Sequence, residues 1–100
     1  MNMLLLQETI DVISEQLATV PALDSSSTDR WIASRDAVRE AEGRVINLLN
    51  HRFGARVNEE SGNTSVSIHG VRSTSTMGLR GALGNWQSAA RRRLEQAGAK

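Results

Sequence analysis

Three glycines near the end of the chain, Gly78, Gly81 and Gly84, follow one another at intervals of three residues. Glycine-rich loops cradle phosphate groups in the dinucleotide fingerprint G-x-G-x-x-G and in the Walker motif G-x-x-x-x-G-K-[ST]. The spacing here is G-x-x-G-x-x-G without a lysine directly after it, so neither motif is present. We expect these glycines to weaken the start of a helix or to allow close packing. The amides beside Ser75 and Thr76 leave anion binding open.

A run of three arginines, Arg91-Arg92-Arg93, is a second group suited to chemistry, because arginine binds phosphate and carboxylate groups. Helical residues are about 100° apart, so the three side chains fan around a helix instead of forming one strip. Arg91 shares its face with Arg80, about three turns earlier. No helix-turn-helix spacing, zinc-ligand set or aromatic stacking platform accompanies them. Three roles for these arginines stay open: favourable interaction with the dipole at the helix C-terminus, contact with nucleic acid, and contact with an acidic protein.

Patterns for catalysis and metal binding are missing from the sequence. The two histidines, His51 and His69, do not have the His-x-x-x-His spacing of a helical metal site. No G-x-S-x-G nucleophile elbow occurs, and the absence of cysteine excludes disulfides and thiolate ligands. We therefore expect no enzymatic activity, no metal, no cofactor and no small-molecule substrate.

Trp31, Phe53 and Trp86 are the only aromatic residues. Large rings in a chain so poor in aromatics usually anchor the core. A tryptophan that is instead exposed is the best candidate for an interface hot spot.

Length and composition define the class of protein. A chain of 100 residues with 39% hydrophobic and 23% charged residues is typical of one small folded domain, spanning 1–100. No apolar run approaches the roughly 20 residues that cross a bilayer, so we expect no membrane partner. The net charge of +1 conceals an asymmetry, since residues 1–30 carry −4 and residues 61–100 carry +5.

Helical periodicity and turn signals divide the chain into the elements that must position these residues. In the first, Leu6, Ile10 and Ile13 recur at helical steps, and Pro21 ends the helix. The predicted fold class is α+β, mainly helical, with three helices and one β-hairpin in the order α-α-β-β-α. The predicted bounds are 1–20 for the first amphipathic helix, 27–54 for a long helix, 55–72 for the hairpin and 75–97 for the last helix.

The second helix is unusually long, about 39 Å at about 1.5 Å per residue. Gly54, directly after this helix, readily adopts the left-handed backbone conformation that ends a helix. The first helix is too short to cover this length, so either Gly43 bends the long helix or part of it projects toward a partner. The apolar stripe that we expect it to bury consists of Trp31, Val38, Ala41, Val45, Leu48 and Leu49.

The hairpin and the last helix complete the predicted domain. Val66 and Ile68 alternate with serines and should face the core, while segment 73–76 supplies hydroxyl caps for the last helix. The residues expected to be mostly buried are Leu6, Ile10, Ile13, Leu17, Val38, Val45, Leu48, Leu49, Ile68, Leu79, Leu83, Trp86 and Leu94.

Small residues line one edge of the last helix, at Gly78, Ala82 and Ala89. Another backbone can approach closely along such an edge. Leucine in place of Gly81 or Ala82 should therefore block a partner while leaving the isolated fold largely intact.

A hairpin followed by an amphipathic helix with Ser/Thr caps resembles the small phage head–tail joining proteins, which also place a hairpin between helices. The resemblance covers roughly Arg44 to Arg93, rests on topology alone and transfers no residue roles. It implies an assembly subunit found in a virion, whereas the composition by itself predicts a cytoplasmic protein.

These observations predict a small non-enzymatic protein-interaction protein, either an oligomeric assembly subunit or an adaptor or inhibitor. Its partner is another protein chain, a second copy or a different protein. The alternative is a nucleic-acid-associated protein that uses the arginine-rich C-terminal half, and a steep salt dependence would distinguish it. The candidate partner-binding residues are Trp31, Gly78, Arg80, Gly81, Ala82, Trp86, Ala89, Arg91 and Arg92.

Overall fold

One antiparallel sheet and three helices make up the computed structural model, which describes residues 3–22 and 26–98. The elements are, in chain order, α1 (Met3–Leu17), α2 (Thr28–Phe53), β1 (Arg56–Glu60), β2 (Asn63–Ile68), β3 (Val71–Ser75) and α3 (Gly78–Gly98). The predicted class, mixed α+β and mainly helical, is confirmed. Among the described helices, none combines the length and the hydropathy needed to cross a membrane.

The sheet has three strands in the order β1-β2-β3, one more than the predicted hairpin. Each connection is a two-residue turn at positive φ, with Ser61 and Gly62 at 51° and 79° and His69 and Gly70 at 53° and 78°. Such pairs are typical of type I′ turns, whose twist matches that of the flanking strands. The apolar pattern does not reveal β3, because serines occupy inward positions along it. The segment interpreted as helix caps therefore continues the sheet instead.

Capping residues set both ends of α2. Ser27 is the N-cap, and its hydroxyl oxygen accepts a hydrogen bond from the backbone N–H of Arg30 at 3.1 Å. Gly54 has the left-handed backbone predicted for it, with φ of 69°, and its N–H donates to the carbonyl of Asn50 at 2.9 Å. The helix runs through Gly43 without interruption, so it is not divided there.

The core lies between α1, α3 and the inner face of the sheet. Val66 and Ile68 face this core, as the alternation predicts. From α2 only a short stretch is added, through Ala41, Val45 and Leu49. Most of the residues predicted to be buried are buried, and the exceptions are half-buried at the margin of the core: Leu17, Val38, Leu48 and Leu94.

Two polar side chains of α3 are buried with their hydrogen bonds formed. The Nε1–H of Trp86 donates to the carbonyl oxygens of Ile68 at 3.3 Å and Val71 at 3.1 Å, on either side of the β2–β3 turn. The side-chain amide of Gln87 donates to the carbonyl oxygen of Ile10 at 2.9 Å. Directional contacts thus hold α3 to the sheet on one side and to α1 on the other.

We predict that Trp86→Phe lowers the free energy of unfolding by about 2–4 kcal/mol, because it removes the donor to two buried carbonyls and leaves unfilled space. Urea denaturation followed by circular dichroism measures the change. Trp31→Phe is the matched control, since Trp31 is 39% exposed and changes at the surface stay within about 0.5 kcal/mol. Equal losses in the two variants would contradict this packing.

Candidate functional site

The N-terminal half of α2, residues 28–40, extends beyond the core, and we name it the α2 arm. None of its side chains is buried, and the first buried residue of the helix is Ala41. This length of helix corresponds to about 20 Å, and the molecule measures 54 Å along its longest axis against 26 and 23 Å across. The described part of the chain therefore leaves most of the arm uncovered.

The arm projects because α1 is too short to follow it. α1 has 15 residues and α2 has 26, so α1 spans about 22 Å of a helix about 39 Å long. The two helices run antiparallel, since Arg52 near the end of α2 has its Nη2 2.7 Å from Oε1 of Glu8 near the start of α1. The predicted stripe is covered only in its C-terminal half, and the expectation of burial is wrong for Trp31.

Trp31 and Ile32 give the arm an apolar surface, with 39% and 42% of their area exposed. The Arg35 guanidinium carbon lies 5.0 Å from the centroid of the Trp31 ring, a cation–π contact that orders the ring on the helix surface. Trp31, Val38 and Val45 are spaced by seven residues and so share one face. The arm thus continues the buried stripe into solvent. Helical spacing places Ile32 beside the predicted buried stripe, and the structure exposes it because it lies beyond the reach of α1.

The charges of the arm are balanced. Its acidic and basic side chains are equal in number: Asp29, Asp36 and Glu40 against Arg30, Arg35 and Arg39. A surface that binds nucleic acid by neutralising phosphates needs a net positive charge. The arm therefore has the composition of a protein-binding helix, apolar in part and electrically neutral overall.

The small-residue edge of α3 packs inside the chain, which corrects the expectation that it receives a partner. Ala82 and Trp86 are fully buried and have no surface to offer. Gly81 lies against the segment before the helix, because a Cβ there would be 2.9 Å from the Cβ of Met77 and closer still to the Oγ of Ser75. Leucine at either small residue would meet atoms of its own chain.

Gly78 and Ala89, the remaining small residues of this edge, are half-buried. Gly78 has a φ of 82°, a left-handed conformation that glycine adopts without steric cost. Its position therefore serves the sharp change of direction from β3 into α3.

Arg80, predicted to face a partner, acts within the chain. Its Nη2 donates to the carbonyl oxygens of Leu17 at 3.2 Å and Val20 at 3.4 Å, which satisfies acceptors at the end of α1. Arg91 and Arg92 are exposed on α3. The end of α3 shares a hollow with the start of α1, at the pole opposite the α2 arm. The structure therefore does not bring these arginines together with the arm.

The carboxyl of Glu42, near the base of the arm, is influenced by a residue from a distant part of the sequence. Partial burial raises the pKa of Glu42, the charge of Glu59 raises it further, and Arg80 and Arg39 oppose the shift. Sequence spacing does not reveal this pair, because its members lie on α2 and β1. Within residues 3–22 and 26–98, no three acidic or histidine side chains are grouped to hold a metal ion.

His69, in the β2–β3 turn, packs against α1 and the end of α2. Its Nε2 lies 2.9 Å from Oγ1 of Thr9, whose hydroxyl hydrogen is donated to the carbonyl of Leu5 at 2.7 Å. The imidazole therefore donates its Nε2–H to the threonine oxygen. The ring of Phe53 meets it edge-on at 5.8 Å between centroids, and partial burial lowers the pKa of His69.

No family model, curated protein or solved structure matches the chain. The topological resemblance to phage head–tail joining proteins therefore receives no support from these comparisons. What the surfaces of the protein can bind is the remaining basis for a functional proposal.

We predict that Ala82→Leu destabilises the protein by about 1–3 kcal/mol, because the added isopropyl group must enter a filled core. Urea unfolding provides the measurement. Ala33→Leu is the matched control, since Ala33 is exposed on the α2 arm and the same change should stay within about 0.5 kcal/mol there. An unfolding free energy that Ala82→Leu leaves unchanged would indicate that the small-residue edge lies at the surface.

Stability should also depend on pH through His69. Burial holds its folded-state pKa below the unfolded value, so the unfolded chain binds this proton more readily. The stabilisation is complete above the unfolded pKa of about 6.5 and is lost as the pH falls through the folded pKa. We predict that the free energy of unfolding declines as the pH falls from about 7 toward 5.5.

Urea denaturation across this pH range, repeated with two variants, tests the assignment. His69→Gln should remove that part of the slope. His51→Gln, at an exposed position near the end of α2, should retain it. A slope that persists in His69→Gln would refute the assignment.

Proposed function

We propose that the chain is a non-enzymatic protein-interaction subunit that docks on another polypeptide through the α2 arm. The observation that supports the proposal is the exposure of Trp31 and Ile32 on a helix that extends past its own core. Tryptophan is enriched among the residues that contribute most binding energy at interfaces. An assembly subunit, an adaptor and an inhibitor would each use such a docking helix.

Helix energetics give the arm a reason to be covered. Isolated helices shorter than about 12–15 residues are marginal in water, and most helices in proteins are stabilised by packing of an apolar face. Here the first fully buried residue of α2 is Ala41, and before it only Val38 is packed against the core. A partner that packs on Trp31 would therefore stabilise the arm as well as bury its ring.

The partner surface is defined by the chemistry of the arm. A tryptophan buries about 150–250 Å² when fully covered, and 39% of Trp31 is available to a partner. The partner therefore needs an apolar surface that covers the exposed part of the indole and the adjacent Ile32. The balanced charges around these residues would set orientation and partner choice more than affinity. The exposed Arg91 and Arg92, at the other pole, support the alternative of nucleic-acid association less directly.

We predict that the wild-type protein forms an assembly larger than its 10.9 kDa monomer, or retains a host protein in fixed stoichiometry, and that the double variant Trp31→Ser/Ile32→Ser loses this association. The loss follows because the apolar surface of the arm is removed. Size-exclusion chromatography with light scattering measures the mass of the assembly. Co-purification from the native host detects a retained host protein and its stoichiometry.

Met77→Ser is the matched control, because Met77 is 83% exposed and lies outside the arm. It should leave the association intact. The double variant should keep its unfolding free energy within about 1 kcal/mol, since both sites are exposed. A monomeric wild type without a bound protein that binds DNA or RNA with a steep loss of affinity in salt would favour the nucleic-acid alternative.

A further inference from the structure

A row of two arginines and one serine crosses the outer face of the sheet. The antiparallel register pairs Arg56 of β1 with Ser67 of β2, and Ser67 with Arg72 of β3. Neighbouring strands are about 4.8 Å apart, so the two arginine backbones stand about 10 Å from each other with the serine between them. Both arginines are exposed. Neither forms an ion pair with any residue that the structure describes.

This row borders an open hollow of about 600 Å³ between β1 and the C-terminal half of α2. Neutral polar side chains also line it, Asn47 and Asn50 on α2 and Ser65 and Ser67 on β2. The amide of Asn50 already donates one hydrogen bond to the carbonyl oxygen of Ala55 at 2.9 Å. None of the described residues that line the hollow is acidic. The hollow itself therefore holds two positive charges and neutral polar side chains.

The acid on the same face of β1, Glu60, borders a smaller neighbouring hollow together with Arg72 and does not line this one. Glu60 lies four residues from Arg56 along the strand, which is about 13 Å in an extended chain. The Debye length at physiological ionic strength is about 8 Å, so salt weakens the attraction of Glu60 to Arg56. Among the described residues Glu60 forms no ion pair with either arginine of the row.

We propose that the hollow binds the phosphate group of a small phosphorylated compound. Arg56 and Arg72 would donate to its oxygens from opposite sides, and the hydroxyl of Ser67 would donate from below. Planar guanidinium groups form paired hydrogen bonds to phosphate that are stronger than neutral ones. Ile46, which also lines the hollow, offers an apolar contact to the organic part of the molecule.

The size of the charged row favours a small phosphate over a nucleic acid. Proteins that bind nucleic acids contact the phosphate backbone with basic side chains along many nucleotides, and the bases of single strands also stack on aromatic rings. Here the charge is confined to two arginines, and no aromatic side chain is among the described residues that line the hollow. This site is separate from the α2 arm and does not depend on the proposed function.

Titration of the full chain with inorganic phosphate and with phenyl phosphate, at constant ionic strength, tests this proposal by two-dimensional amide NMR. We expect saturable shifts at Arg56, Ser67 and Arg72, with phenyl phosphate binding more tightly because its ring reaches Ile46. Arg56→Gln and Arg72→Gln should each weaken binding about tenfold or more, as expected for the loss of a charge-assisted hydrogen bond.

Arg91→Gln is the matched control, because Arg91 is an exposed arginine on α3 outside the hollow, and it should leave the affinity unchanged. Circular dichroism verifies that each variant is folded. Absence of saturable shifts would overturn the proposal, as would equal weakening by Arg91→Gln. A single-stranded oligonucleotide that binds at the row more tightly than phenyl phosphate would assign it to nucleic acid instead.

Discussion

The two hydrogen bonds from the Trp86 indole to the carbonyls of Ile68 and Val71 are the constraint on which the fold depends. Ile68 and Val71 pair with each other across the tight turn at His69 and Gly70, and α3, on the inner face of the sheet, adds the indole N–H to both of their carbonyls. α3 is thereby fixed on β2 and β3. Small sheets of two or three strands need such a packed helix for stability, so the sheet and α3 form as one unit.

The position of α3 decides what is left exposed. One side of this helix covers the sheet, and its other side receives α1 through Gln87 and Arg80, whose side chains donate to carbonyls of α1. α2 joins this arrangement through a short buried stretch centred on Val45. Because no element of the described chain continues along its N-terminal half, Trp31 remains at the surface. The α2 arm thus follows from the difference in length between α1 and α2.

Apolar spacing predicts the three helices because each buries a single stripe, such as Leu6, Ile10 and Ile13 on α1. It cannot show how far a neighbouring element extends. Trp31 and Val45 share a face and a period, yet one is exposed and the other buried. β3 is missed for a different reason: its strand form is imposed by the preceding turn and by α3, and not by apolar alternation. The row of Arg56, Ser67 and Arg72 depends on that register and is likewise invisible in the sequence.

A single helix connects the two proposed surfaces. The C-terminal half of α2 borders the sheet hollow through Asn47 and Asn50, and its N-terminal half is the arm. Gly43 lies between these halves with open space where a Cβ would be, so packing does not require glycine there. Glycine within a helix costs about 1 kcal/mol relative to alanine. Glycine at position 43 therefore lowers the intrinsic stability of α2 where its anchored half meets the arm, and packing on the core side has to hold the helix together there.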